Sequence, residues 1–264
     1  MSEVKTELAA ETGSPEPEET ESGKMSFLEH LDELRKRLVH IAAYVGVGFL
    51  VSWFFHQRIY DFLAAPMTKT LPPGKHLVYT SITDPFTVYM KVSFVAGIFL
   101  TIPFILYEIW KFIAPGLYQK EKRYVIPFLV SSILLFLLGA AFCYIVILPT
   151  TFKFLNQMGA SFDPMIKIDE YLDFTNMLIL GLGMIFEMPV IVAFLSMFGL
   201  VSAKFLWDKF RYAMVGIVAL AAVISPTGDA FNLMIWSAPM VLLYIISIGV
   251  AAIFGWRRKR KGLA

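Results

Sequence analysis

Apolar residues in this chain gather into long runs separated by polar stretches, and the first run has a helical prologue. Between positions 27 and 38, Leu28, Leu31, Leu34 and Leu38 recur at three- and four-residue steps, the apolar stripe of an α-helix. Glu29, Glu33 and Arg37 stack at four-residue steps on another side. Residues 38–55 then carry no fixed charge over eighteen positions, enough to cross a bilayer at about 1.5 Å per residue. The pattern predicts a charged amphipathic helix running straight into a membrane span.

Further runs follow at 92–110, 125–148, 174–198 and 231–254. Pro103 and Pro239 interrupt two of them and should kink rather than end the helices, because intramembrane prolines are tolerated. Residues 212–224 form a shorter run, near 20 Å as a helix against a hydrocarbon core of about 30 Å, so crossing needs a thinned bilayer or shielding neighbours. The segment 56–91, with Pro66, Leu71-Pro72-Pro73-Gly74 and Asp84-Pro85, reads as an extramembrane loop with some short helix. Residues 111–123, 149–173 and 225–229 are the other principal connections.

Composition agrees with this pattern. Of 264 residues, 57% are hydrophobic and 17% charged, and the mean hydropathy is +0.65, too apolar for an ordinary soluble domain. Six crossings put both ends on one side, and that side then holds seventeen Lys and Arg residues against six on the other. The positive-inside rule makes it the cytoplasm, and treating 212–224 as re-entrant would leave the basic cluster 257–261 outside. The predicted fold is therefore an all-α polytopic membrane protein with six transmembrane helices, cytoplasmic N- and C-termini and a short fifth helix. Residues 1–24 read as a disordered acidic tail, 25–256 as the membrane domain and 257–264 as a basic tail. The front segment lacks the apolar core of a secretory signal, and its composition is unlike that of a transit peptide, which favours a bacterial inner membrane. Cys143 is alone, so no internal disulfide forms.

Candidate chemistry centres on carboxylates. Glu187 lies inside the fourth run, where an acid costs about 2.5–3.5 kcal/mol on insertion scales. Asn176, Leu180 and Gly183 share its helix face, a seam suited to face protein or a wet groove, and Pro189 weakens the helix beside it. Glu187 serves either as a protonated packing group or as a functional one. Spacing alone pairs Glu33 with Arg37, and Glu121 with its basic neighbours Lys120, Lys122 or Arg123. Asp229 reads as a turn or helix-cap residue and Pro66 as structural. The run 257–261 directly follows a span and reads as an anchor for anionic lipid rather than nucleic acid. No metal-ligand spacing, phosphate loop or nucleophile set is visible, which argues against an enzyme and against a cofactor. On residues alone, a proton-coupled small-solute transporter using Glu187 is the favoured class.

Three motifs add a resemblance covering about 26–256. His30-Leu31-Asp32-Glu33-Leu34-Arg35-Lys36-Arg37-Leu38 resembles the N-terminal signature of the TatC family, the multi-span core subunit of the twin-arginine protein translocase. The stretch from Phe112 to Arg123 is similar to the family's first cytoplasmic loop, and Phe186-Glu187-Met188-Pro189 to a motif facing a concave membrane cavity. The turn ending at Asp229 is similar to the family's last external turn but one residue longer than the common Pro-Pro-Asp form, and Pro66 matches a proline of the first external loop. The resemblance implies that Glu33 and Glu121 bind the paired arginines of signal peptides on folded cargo, with Arg35, Phe112, Pro115, Leu117 and Tyr118 shaping the cytoplasmic site. A guanidinium offers a planar fork that a carboxylate can take bidentately. It further implies single-span TatA- and TatB-type partners, a homo-oligomer within a larger complex, and the proton-motive force as energy source.

Overall fold

The computed structural model describes residues 27–72, 74–113, 125–225 and 229–260, and they are helical almost throughout. The acidic stretch 1–24 and the last four residues of the basic tail lie outside the described residues. Helix α1, Phe27–Trp53, fuses the amphipathic prologue to the first apolar run without a break. Helix α2, His56–Thr68, turns away from it by 88°. The His56 ring donates to the Trp53 carbonyl at the corner. Pro66 is buried within α2, and the tyrosine hydroxyls of Tyr144 and Tyr171 pin the helix by donating to the carbonyls of Phe62 and Leu63.

Helix α3 spans Asp84–Ile113 and runs unbroken through Pro103. It starts seven residues before the predicted loop boundary at Lys91. Asp84-Pro85 opens this helix instead of merely marking a turn, since a proline in the first turn needs no N–H partner and has its φ preset. The Asp84 carboxylate accepts from the backbone N–H groups of Thr80 and Ser81, fixing the entry.

Helices α4, Val125–Phe142, and α5, Leu148–Met158, are joined by a π-helical turn, Cys143–Ile147. The third run therefore continues past its expected end at Leu148. Pro149 would meet the carbonyl four residues back in a regular helix, and the wider turn ahead of it relieves that conflict. Helix α6, Ile168–Ile185, and α7, Met188–Met197, break at Phe186 and Glu187, where Pro189 withdraws a donor. A short α8, Ala203–Asp208, leads into α9, Phe210–Ile224. The last helix, α10, covers Ala230–Arg260 and carries the final apolar run directly into the basic residues, so the expected boundary at 257 is not a helix end.

Among the described residues, four helical stretches, Asp84–Ile113, Val125–Met158, Ile168–Met197 and Ala230–Trp256, are long and apolar enough to cross a membrane, five if the bent α1–α2 pair counts as one span, and α9 is a shorter apolar helix. Helix α1 packs chiefly on α3, α4 on α6, and α10 on α7 and α9. The α1–α3 contact is backbone to backbone. A Cβ on Gly48 would lie 2.6 Å from the Gly97 carbonyl oxygen, and one on Gly97 would lie 2.6 Å from the Phe49 nitrogen. Small residues let two helices approach this closely, and van der Waals packing then holds them where lipid supplies no hydrophobic drive. Val78 exchanges backbone hydrogen bonds with the segment around Lys167, and Asn156 donates to Thr70, tying the loop after α2 to the end of α5 and the start of α6.

Candidate functional site

The apolar stripe of α1 is not the face that packs. Leu31, Leu34 and Leu38 are exposed, whereas the Glu33 and Arg37 side chains keep only 14% and 15% of their surface. Their position opposite α3 explains this. Arg37 Nη2 donates to Glu33 Oε1 at 2.8 Å, and its Nη1 donates to Glu108 Oε2 at 2.9 Å. Glu108, one turn before the end of α3, is 4% exposed. Its other oxygen lies 3.7 Å from His40 Nδ1 on α1. A buried ion pair repays desolvation only when geometry and partners are good; one guanidinium spans two carboxylates here, but Arg37 Nε and Glu33 Oε2 are buried without partners among the described residues, so the cluster meets that demand only in part.

The pairing expected from spacing, Glu33 with Arg37, is thus present, and it is one half of a larger cluster. Glu33 Oε2 is buried and has no hydrogen-bond partner among the described residues, leaving an acceptor beside a guanidinium already seated on Oε1. Phe112, at the end of α3, stacks on the His30 ring of α1 with centroids 4.4 Å apart, closing the cluster on the side of the α3 C-terminus. Arg35 is exposed on α1. Glu121, Pro115, Leu117 and Tyr118 lie outside the described residues.

Glu108 was missed in the sequence reading although its signal was present: it is an acid inside the run 92–110, the same anomaly that singled out Glu187. It stands three residues before the basic loop that begins at Lys111, near the end of the run rather than at its middle.

Glu187 occupies the break between α6 and α7. Ser132 of α4, almost fully buried, stands beside its carboxylate, and the indole N–H of Trp110 of α3 donates to the Ser132 hydroxyl at 3.4 Å. Glu187 Oε1 is buried with no hydrogen-bond partner among the described residues. The seam expected on α6 turns inward: Asn176 is buried, and a Cβ on Gly183 would strike the Phe136 ring at 2.9 Å. The Glu33–Arg37–Glu108 cluster and the Glu187 site therefore share α3, through Glu108 and through Trp110 by way of Ser132.

Asp229 caps the N-terminus of α10, accepting from the Asn232 backbone N–H at 2.9 Å and from its side-chain amide at 3.1 Å. That is the cap reading of the sequence, at one of the four orphan donors of a helix start. A cavity of about 450 Å³ between α2, α5 and α6, lined by Phe152, Leu155 and Phe174 among others, is remote in the fold from both acid sites. Among the described residues no group of three or more His, Cys, Asp or Glu could hold a metal ion.

Comparison with known proteins gives one consistent result. The family model described as Sec-independent protein translocase protein (TatC) matches residues 29–239. The Sec-independent protein translocase protein TatC of Koribacter versatilis (strain Ellin345) is 48% identical over 240 residues, 90% of this chain and 89% of the relative. That of Escherichia coli (strain K12) is 38% identical over 223 residues, covering 84% and 86%. A crystal structure of the twin-arginine translocase receptor TatC superposes with a TM-score of 0.75 at 35% identity, covering 86% of this chain and 99% of that one. With the helical membrane fold and the carboxylate sites in view, the chain belongs to the TatC family of Sec-independent protein translocase proteins.

Proposed function

We propose that this chain is the signal-peptide receptor and core of a twin-arginine translocase, and that Glu33 and Glu121 take the paired arginines of a folded cargo's signal. The observation that carries the reading is Glu33 itself. It already holds one guanidinium, from Arg37, on one oxygen, and its second oxygen is buried with no hydrogen-bond partner among the described residues. A carboxylate with restricted motion and little water is where a charge-assisted hydrogen bond is strongest.

In this reading the chain crosses a bacterial inner membrane six times with both termini in the cytoplasm. Helix α9, at fifteen residues about 22 Å long, is the short fifth span. The lysine and arginine bias supports that orientation. The hydrophobic part of the signal follows α3 inward towards Glu187. Arg35 and Phe112 support the cytoplasmic site, joined by Pro115, Leu117 and Tyr118 of the loop, while Pro66 and Asp229 stabilise the external side. Single-span TatA- and TatB-type subunits, further copies of this chain and the proton-motive force complete the system. The proton-coupled transporter reading loses its ground, because the family accounts for an intramembrane acid without a small solute.

Export tests the proposal in cells lacking their own TatC. The chain is expected to export a folded reporter carrying an arginine-pair signal, Glu33→Ala to reduce export at least tenfold, and Glu187→Gln to leave peptide capture at the cytoplasmic face intact. Full export by Glu33→Ala would remove this residue from the receptor site.

A further inference from the structure

Glu108 is a buried acid that the arginine-pair reading does not use, and its place suggests why the receptor site works. Among the described residues the cluster holds two carboxylates, Glu33 and Glu108, and one guanidinium, Arg37. His40 faces Glu108 at 3.7 Å and adds positive charge only when protonated. The neighbouring Lys36 is committed to Asp32 at 2.7 Å on the exposed side, and Lys111 lies over the Tyr107 ring. With His40 neutral, the cluster is one positive charge short; Glu33 Oε2 and Arg37 Nε are both buried without a hydrogen-bond partner among the described residues, so an incoming guanidinium reaches Oε2 only by displacing the local packing.

We propose that Glu108 is a positioning and specificity residue for signal recognition. It neutralises Arg37 from the α3 side, so that Glu33 keeps its negative charge available for an incoming guanidinium while Oε1 stays anchored by Arg37. Without Glu108, Arg37 and Glu33 form a closed neutral pair, and a cargo arginine must compete for it. With Glu108, the cargo arginine completes a set of two carboxylates and two guanidiniums. Close charge pairs of this kind couple strongly in partly buried sites. The ligand class is a guanidinium, because a planar fork can sit beside a second fork on one carboxylate edge, whereas an ammonium is a compact, strongly hydrated point charge.

This inference rests on Glu33 being the arginine-binding residue, and the test separates the two claims. Binding of a labelled peptide bearing Arg-Arg or Lys-Lys is measured on purified wild-type protein, Glu33→Gln, Glu108→Gln and the double variant Arg37→Gln/Glu108→Gln. Glu108→Gln is expected to weaken Arg-Arg binding about tenfold with little change for Lys-Lys. The double variant restores the net charge of the cluster and should recover most of the lost affinity, which a loosened α1–α3 packing would not do. Loss in Glu33→Gln with unchanged binding in Glu108→Gln overturns the inference and leaves the receptor reading standing. A double variant no better than Glu108→Gln also overturns it, since the role would then be only structural. Unchanged binding in Glu33→Gln removes the reading on which both rest.

Discussion

Gly97→Leu is expected to disrupt the protein at the level of the fold, while Gly46→Leu on the facing helix is tolerated. A Cβ at position 97 meets only backbone of α1, at 2.6 Å from the Phe49 nitrogen and 2.8 Å from the Gly48 carbonyl carbon. No rotamer change relieves a clash with backbone, so α1 and α3 must separate. Overpacking a tight contact costs about 3 kcal/mol, and in this case it also pulls Arg37 from Glu108. Gly46, on α1 itself, has nothing within 4 Å of its Cβ position. Thermal unfolding of the two variants in mild detergent checks the contrast. A Gly97→Leu protein as heat-resistant as Gly46→Leu would mean that the α1–α3 contact is looser than the structure has it.

Glu187→Leu is expected to act in opposite directions on stability and on transport. An acid in the middle of a span costs about 2.5–3.5 kcal/mol on insertion scales, and at this position Oε1 is buried with no hydrogen-bond partner among the described residues. Leucine removes that cost, and Ser132 keeps its contact with Trp110. The variant should resist heat better than the wild type by several degrees in detergent. Export of a folded reporter should fall sharply, because the break at Phe186 and Glu187 would lose its polar group. Residues that weaken a fold yet persist are commonly those that function requires. If Glu187→Leu loses stability and export together, Glu187 is a packing residue.

Both of these positions could be found in the sequence to different degrees. Glu187 stood out because a charge amid a long apolar run has few innocent explanations. Gly97 did not, because a glycine in an apolar run is unremarkable until the partner backbone is seen against it. The helical runs were legible throughout, but their ends were not. Asp84-Pro85 and Pro149 have the composition of turns, and each was absorbed into a helix, one as a first-turn proline and the other behind a π-helical turn. The stripe Leu31, Leu34 and Leu38 misled in a more basic way. In water an apolar stripe marks the packed face, but beside a bilayer it can face lipid while the charged face packs, as Glu33 and Arg37 do against α3. The same reversal hid Glu108, whose partner is 71 positions away in sequence. Periodicity within one helix carries no information about a pair made between two.

The receptor reading is tested most directly by comparing the affinity of the purified full chain for one labelled signal peptide in its Arg-Arg and Lys-Lys forms, with and without Glu33→Gln. Removing a charged partner from a charge-assisted hydrogen bond costs about 1.5–3 kcal/mol, a loss of roughly ten- to a hundredfold. The account predicts that loss for Arg-Arg binding, a much weaker Lys-Lys complex, and no remaining preference between the two peptides in Glu33→Gln. Equal affinity for both peptides in the unaltered protein, with its fold confirmed by thermal melting, would contradict it.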